Sequence, residues 1–347
     1  MHLFYSLKAL RNSAFYLVIL LLVNKGWCQG DTTVLPYSTF REHTVMYIDE
    51  GFSSAPFSIH YPYNDQIDVL KYKNNFRITM GIGFSYRWIS LRIGFPLPGN
   101  IRDTSQYGQT TAFTFGTDFT LGKMFWDIDL RNYTGYSIKN ALLWDPTLSE
   151  NNPNKIKPVI NVFNLAINSW YFHDKNFRMS ALKGKTAHYL KPVKTWYIKN
   201  SLNILGLNNG SYSIIPEELI DNTNSKTSTN QLSALDMSFI PGYAYVNRLK
   251  NWQFSVISGL GFAIQTKAYN TENVTRTVIG IAPRYDIGLI FGYSVPRYFA
   301  FISAEFDNKS LRFNELIYRQ QFYSIRISTG IRLETKDRQR KLFKRFP

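Results

Sequence analysis

The chain has 347 residues, of which 44% are hydrophobic, 16% aromatic and only 18% charged, with a formal net charge of +16 and a single cysteine, Cys28. That length rules out a minimal disulfide-stapled domain, and one cysteine rules out an internal disulfide or a thiolate metal cluster. A mean hydropathy of -0.22 argues against a helical membrane bundle, and only the N-terminal run is strongly apolar.

Residues 1–30 read as a secretory signal. Lys8 and Arg11 form a basic start, 14–23 is an unbroken apolar run, and Cys28-Gln29-Gly30 places small residues for cleavage before Asp31. The apolar run is too short to span a bilayer as a helix. Removal takes away Lys8, Arg11 and Lys25 and no acid, which lowers the charge from +16 to +13. Export makes nucleic acid an unsuitable partner for this surplus. Outer-membrane lipids and lipopolysaccharide phosphates suit it better.

Residues 31–51 are mixed and read as a periplasmic N-terminal segment. A first strand is expected at 52–61, weakened by Pro56. From there the pattern is strict. Phe76, Ile78, Met80, Ile82, Phe84 and Tyr86 alternate with Arg77, Thr79, Gly81, Gly83, Ser85 and Arg87. Alternate residues of a strand share a face, and ~9–11 of them cross a bilayer at a tilt. Ile89, Leu91, Ile93 and Phe95 continue the apolar row against Ser90, Arg92 and Gly94 after a tight turn at Arg87-Trp88. A loop is expected at 96–109, a strand at 113–121, and a Gly122-Lys123 turn leading to Trp126, Ile128 and Leu130 opposite Asp127, Asp129 and Arg131. The polar stretch 136–157 reads as a loop. Further strands are expected at 159–171, 177–182, 195–205, 235–246, 254–265, 278–293, 298–306 and 322–333. In the last, Tyr323, Ile325, Ile327, Ile331 and Leu333 oppose Ser324, Arg326, Ser328, Gly330 and Arg332.

The connections alternate between short ones (near Arg87, Gly122, 173–175, Asn208, 247–251 and 294–297) and long ones. Outer-membrane barrels have short periplasmic turns and long external loops. The chain is therefore expected to be all-β, a closed antiparallel transmembrane β-barrel over 52–333 in the bacterial outer membrane. The count is about 14 strands, or about 12 if weak ones at Phe52 and Ser211 drop out. Both termini would be periplasmic, 334–347 would be a basic tail, and the barrel-assembly machinery would insert the protein.

The sequence resembles an uncharacterised family of Bacteroidota outer-membrane barrels, domain of unknown function 4421. The residues carrying the resemblance are Leu70-Lys71-Tyr72-Lys73-Asn74-Asn75, Met80-Gly81-Ile82-Gly83-Phe84-Ser85-Tyr86-Arg87 and Leu91-Arg92-Ile93-Gly94-Phe95-Pro96-Leu97-Pro98. Tyr107-Gly108, Tyr171-Phe172, Asn176-Phe177-Arg178 and Ile240-Pro241-Gly242-Tyr243-Ala244-Tyr245 add to it. The resemblance implies place and fold and no activity.

No catalytic or cofactor chemistry is evident. His43, His60, His173 and His188 are scattered singly, without metal-ligand spacing. Ser58 and His60 share a strand face, the beginning of a lipase-like arrangement that would need an acid or amide beside it. The reading is a non-enzymatic barrel, either a narrow or occluded pore for an unnamed small solute or a structural or binding barrel. The alternative is an outer-membrane lipid-modifying enzyme. The residues singled out are the inward charges Arg77, Arg87, Arg92, Asp118, Asp127, Asp129, Arg131, Arg284, Asp286, Arg326 and Arg332. They are expected to pair across the lumen, constrict it and leave a weak anion preference.

Overall fold

The computed structural model describes residues 35–40, 42–64, 67–75, 77–99, 101–121, 123–139, 141–271 and 275–335. The signal, Phe76 and tail residues 336–347 lie outside them. In chain order the elements are β1 (Tyr37–Thr39), β2 (His43–Ser54), β3 (Phe57–Asn64), β4 (Ile67–Lys73), β5 (Ile78–Tyr86), β6 (Ile89–Pro96), the one-turn helix α1 (Thr104–Tyr107), β7 (Thr111–Leu121), β8 (Met124–Lys139) and β9 (Lys155–Phe172). Then come α2 (Met179–Lys183), β10 (Ala187–Tyr189), β11 (Val193–Asn208), β12 (Gln231–Leu249), β13 (Trp252–Asn270), β14 (Thr275–Ser294), β15 (Tyr298–Phe313) and β16 (Leu316–Glu334).

Twelve of these strands form a closed antiparallel ring, β2–β5–β6–β7–β8–β9–β11–β12–β13–β14–β15–β16, which closes where β16 pairs with β2 from Tyr323↔Ser54 to Glu334↔His43. The two remaining large-sheet strands are upward continuations. β3 extends β2 across Ala55-Pro56, and β4 leads into β5 across 74–77. β3 pairs with β16 and with β4, and β4 pairs with β8. The β6–β7 hairpin is short, so beyond its far end β3 and β4 replace β2, β5, β6 and β7 in the wall. The ring narrows there from twelve strands to ten. β8 accommodates the change of neighbour with an irregularity between Thr134 and Tyr136. Gly135 sits in it at φ 93, and a Cβ there would meet the Gln109 carbonyl oxygen at 2.0 Å. Only glycine fits both demands.

The period-two pattern is realised as two faces. Ile82, Phe84, Ile325, Ile327 and Ile331 are exposed on the outside, Ile78 and Met80 are half-buried there, and Arg326 points inward to Glu305. This is the apolar outer band of a membrane barrel. No helix among the described residues is long and apolar enough to cross a membrane.

Four expectations need correction. The first ring strand begins at His43, ahead of the expected barrel start at Phe52, because Val45, Tyr47 and Asp49 alternate inward against exposed Met46, Ile48 and Phe52. Residues 177–182 are not a strand: α2 occupies Met179–Lys183 inside the barrel, with Met179, Ala181 and Leu182 buried and Ser180 and Lys183 turned to the chamber. Asn208 is followed by a long connection, 209–230, rather than by a tight turn. β8 runs to Lys139 and β9 starts at Lys155, which shortens the expected 136–157 loop. The weak strand at Phe52 is therefore real, and those at 177–182 and Ser211 are the ones that drop out.

Apolar clusters fill the lumen at both ends. At the end away from the termini, Phe57, Ile59, Leu70, Tyr72, Tyr136, Ile138 and Tyr318 of the wall close on Ile214, Ile215 and Leu219 of the 209–230 connection. The Tyr72 hydroxyl donates to the Ile214 carbonyl at 2.8 Å. At the terminal end the 173–192 connection folds into the barrel. Phe177, Met179, Ala181, Leu182 and Tyr189 pack on Phe125, Trp170, Phe172, Tyr197 and Val246, and β1 pairs with β10 alongside them.

Candidate functional site

Between the two clusters lies a polar chamber of about 280 Å³. Strand alternation aims its side chains inward. Its lining holds as many acids as bases: Asp49, Asp118, Asp127, Asp129, Asp286, Glu305 and Asp307 against Arg92, Arg131, Lys183, Lys185, Lys199, Lys309 and Arg326. The chamber lining is therefore neutral on balance.

The pairing is specific. Arg92 makes a bidentate contact with Asp49, at 2.6 and 2.7 Å, and donates its third nitrogen to Thr114. Arg131 bridges Asp129 at 2.5 Å and Asp307 at 3.3 Å, and its guanidinium lies 5.2 Å from the centre of the Phe322 ring. Arg326 pairs with Glu305 at 2.6 Å. Two rungs of the ladder set acid opposite acid, Asp118↔Asp127 and Asp286↔Asp307. Like charges directly opposite in a sheet repel. A lysine from elsewhere relieves each rung: Lys183 is 2.9 Å from Asp118, and Lys199 is 2.9 Å from Asp286.

Asp127 has no arginine partner among the described residues. It accepts from Trp170 Nε1 at 2.5 Å and Asn168 Nδ2 at 2.6 Å. From Asn168 a chain of hydrogen bonds runs along the inner wall. Ser201 donates to Asn168 at 2.5 Å, Asn203 donates to Ser201 at 3.0 Å and to Asp236 at 2.7 Å, and Arg284 pairs with Asp236. Arg284 and Asp236 are almost wholly buried. This network ties β8, β9, β11, β12 and β14 together.

Three of the arginines singled out by alternation do other work. Arg77 lies just before β5 and donates to the carbonyls of Leu97, Gly99 and Thr110, bracing the loop at the far rim. Arg87 stands in the β5–β6 turn at φ 55, over the Tyr86 ring. Neither faces the lumen, because each lies beyond the end of its strand. Arg332 points inward but holds the 173–192 connection, which plugs the terminal end of the barrel. It donates to the carbonyls of Gly184 at 2.7 Å and Lys185 at 2.8 Å, to Val295 and to Ser294, between the rings of Phe40 and Phe299.

Lys185 lies on the 173–192 connection, outside the spanning strands. Its ammonium sits 3.7 Å from the Tyr47 ring centre. Burial pushes it down to about 7, Arg326, Lys183 and Arg92 act in the same direction, and Asp49 opposes them.

The candidate catalytic residues are not brought together into a complete cluster among the described residues. His173 stacks on Trp196 at 4.7 Å, on a different part of the chain from His60. Ser58 Oγ is 3.0 Å from His60 Nε2, and no carboxylate takes a hydrogen bond from that imidazole among the described residues. No group of three His, Cys, Asp or Glu side chains suited to a metal occurs among them either.

A family model described as a domain of unknown function, DUF4421, matches residues 39–332. The chain belongs to this family. No curated protein matches the sequence. Solved structures similar to this DUF4421 chain include the outer-membrane protease OmpT from Escherichia coli, at 11% identity and TM-score 0.35, with 87% of this chain and 100% of that chain covered. The translocator domain of the autotransporter NalP from Neisseria meningitidis has 9% identity and TM-score 0.37, covering 93% and 97%. The toluene transporter TodX from P. putida has 7% identity and TM-score 0.27, covering 84% and 90%.

Several members of the DUF4421 chamber escape a reading by alternation. Asp49 lies in the stretch taken for a periplasmic segment. Lys183 and Lys185 belong to the plug, whose helix looks like another short strand. Glu305 and Asp307 do alternate with Phe306, and that signal was available. Lys199 sits in a strand where polar residues occupy both faces, so parity alone does not choose a side. Asp236 alternates with exposed Leu235, Met237 and Phe239, and parity does place it inward.

Proposed function

We propose that this DUF4421 chain is a non-enzymatic, non-conducting barrel of the bacterial outer membrane, a structural or surface-binding protein rather than an open pore. The observation that carries this is the double closure of the lumen. An apolar cluster fills each end, and the chamber between them is lined by acids and bases in equal number, most of them paired. A barrel wider than the ~8-stranded kind leaves space inside unless something fills it. Here two connections fold inward to do so. The end that carries the termini has short turns at 87–88, 250–251 and 295–297, although the expected short turn at 173–175 is instead the long 173–192 connection. The far end has the long connections 97–110, 140–154 and 209–230 and a short turn at 314–315, and this balance favours a periplasmic placement for the terminal end.

The test is reconstitution of the mature protein in planar bilayers, alongside membrane fractionation of cells that express it. The expected result is recovery with the outer membrane and no stepwise conductance. Regular ion-conducting steps from the intact protein would overturn the closed-barrel reading, and recovery from the soluble periplasm would overturn the placement.

A further inference from the structure

Part of the positive surplus that the balanced chamber lacks lies on the outer wall. Where β3 and β4 replace the lower strands, one row of the ladder runs Arg319↔Ser58↔Lys71↔Lys139 across β16, β3, β4 and β8. Directly opposed residues point to the same side of a sheet. Ser58 alternates with the buried Phe57 and Ile59, so the row faces outward. Arg319, Lys71 and Lys139 are exposed. None of the three makes an ion pair within the protein among the described residues, and the Ser58 hydroxyl meets only His60. Lys73, two residues further along β4, adds a charge close enough for Lys71 and Lys139 to repel it. β4 offers one acid in return, Asp68.

The height of the row matters as much as its charge. On β16 the outward positions pass from exposed Leu333, Ile331, Ile327 and Ile325 through Tyr323 to Gln321 and Arg319. The apolar belt thus ends at a tyrosine, as at a membrane interface. Arg319 lies about 13 Å further along the tilted strand, at ~3.3 Å per residue, which is head-group depth. Neighbouring strands are ~4.8 Å apart, so the three cations and the hydroxyl span about 14 Å of wall. Unpaired cations at that depth are complementary to phosphate, and a hydroxyl between them supplies a neutral donor.

We infer that this row is a binding site for a phosphorylated glycolipid head group of the outer leaflet. The inference rests on the outer-membrane placement proposed above. Its test is made on purified protein, so it can fail while fractionation still succeeds. Ser58 and His60 serve here as phosphate donors. A hydrolytic role lacks the orienting acid.

The experiment measures retention of bisphosphoryl lipid A by the protein folded in neutral detergent, using native mass spectrometry. The variant is the triple Arg319→Gln, Lys71→Gln, Lys139→Gln. A control triple at the terminal end, Lys123→Gln, Lys250→Gln, Arg297→Gln, removes the same charge elsewhere. The expected result is a roughly 100-fold loss of affinity in the first triple and none in the control. Fully dephosphorylated lipid A should bind the wild type as weakly as the first triple binds bisphosphoryl lipid A. Millimolar inorganic phosphate should not displace the glycolipid. Equal losses in the two triples, unchanged retention in the first, or undiminished binding of dephosphorylated lipid A would overturn the assignment. Displacement by inorganic phosphate alone would make it a free-phosphate site instead. Heat-modifiable migration on gels confirms that each variant is folded.

Discussion

Asp118 on β7 lies directly opposite Asp127 on β8, and the cation that separates the two carboxylates, Lys183, comes from the plug and not from the wall. The wall is thus electrostatically incomplete without the segment that closes it. The plug is held by charge as well as by Phe177, Met179 and Leu182. Asp127 also takes neutral donors from Trp170 and Asn168, so Asp118 depends on Lys183 more heavily than its neighbour does.

Replacing Lys183 with Met should therefore destabilise the folded barrel by about 1–2 kcal/mol. This is below the ~3–5 kcal/mol of a fully buried broken pair, because Lys183 and Asp118 both keep some exposure. Adding Asp118→Asn should restore most of the loss, since the repulsion disappears with the charge. Thermal unfolding in detergent of the two singles and the double measures the coupling. Strictly additive effects would mean that Lys183 acts through packing alone.

The ring was legible because lipid exposure imposes one rule on every spanning strand. Ile325 out and Arg326 in follow from parity, and parity is visible in the sequence. The plug obeys no such rule. Met179, Ala181 and Leu182 are buried, and the polar side of α2 is only Ser180 and Lys183, turned to the chamber, so little marks it as a helix. At five residues it is also too short for a 3.6-residue period to emerge. The candidate site was legible in part for the same reason. Asp129 and Arg131 sit two apart on one strand and do pair, whereas Arg131–Asp307 and Arg92–Asp49 join strands distant in sequence, which alternation cannot match.

Asp236 should be the costliest acid to remove. Its partner Arg284 is 1% exposed, and the pair terminates the hydrogen-bond chain that runs through Asn203 and Ser201 to Asp127. Asp236→Ala leaves a guanidinium buried and uncompensated, with an expected loss of ~3–5 kcal/mol. Replacing both partners with apolar residues of similar volume should recover much of it. Denaturant unfolding midpoints would decide the matter: a single variant within 1 kcal/mol of wild type, on the order of a surface pair, would refute the role given to this contact.

Lys185 makes stability depend on pH. Its ordinary value of 10.5 falls to about 7 in the folded protein. The unfolded chain therefore binds more protons between those limits, and stability should rise with pH across that window. Below about 7 both states are protonated and this contribution is flat. Lys185→Met should raise the unfolding temperature near neutrality and flatten the rise toward alkaline pH. Parallel pH profiles for variant and wild type would exclude Lys185 as the source.

Gly184 and Arg332 together should control the plug without opening the pore. Gly184 ends α2 at φ 74, and a Cβ there would meet the Phe301 ring at 2.3 Å. Gly184→Val therefore combines a left-handed backbone cost of about 1–2 kcal/mol with a clash against a packed aromatic. Arg332→Gln removes the fork that grips the Gly184 and Lys185 carbonyls. Either change should loosen the 173–192 connection, and the double variant should expose it to protease added on the side of the termini. Conductance should nevertheless stay absent. The far cluster of Phe57, Tyr72, Tyr136 and Ile215 is built from other segments and shares no residue with the plug. Only a further deletion within 209–230, which carries Ile214, Ile215 and Leu219 into the lumen, should let ions through. Steady current from the Gly184→Val, Arg332→Gln protein alone would show that the plug is the sole barrier, contrary to the two-barrier arrangement.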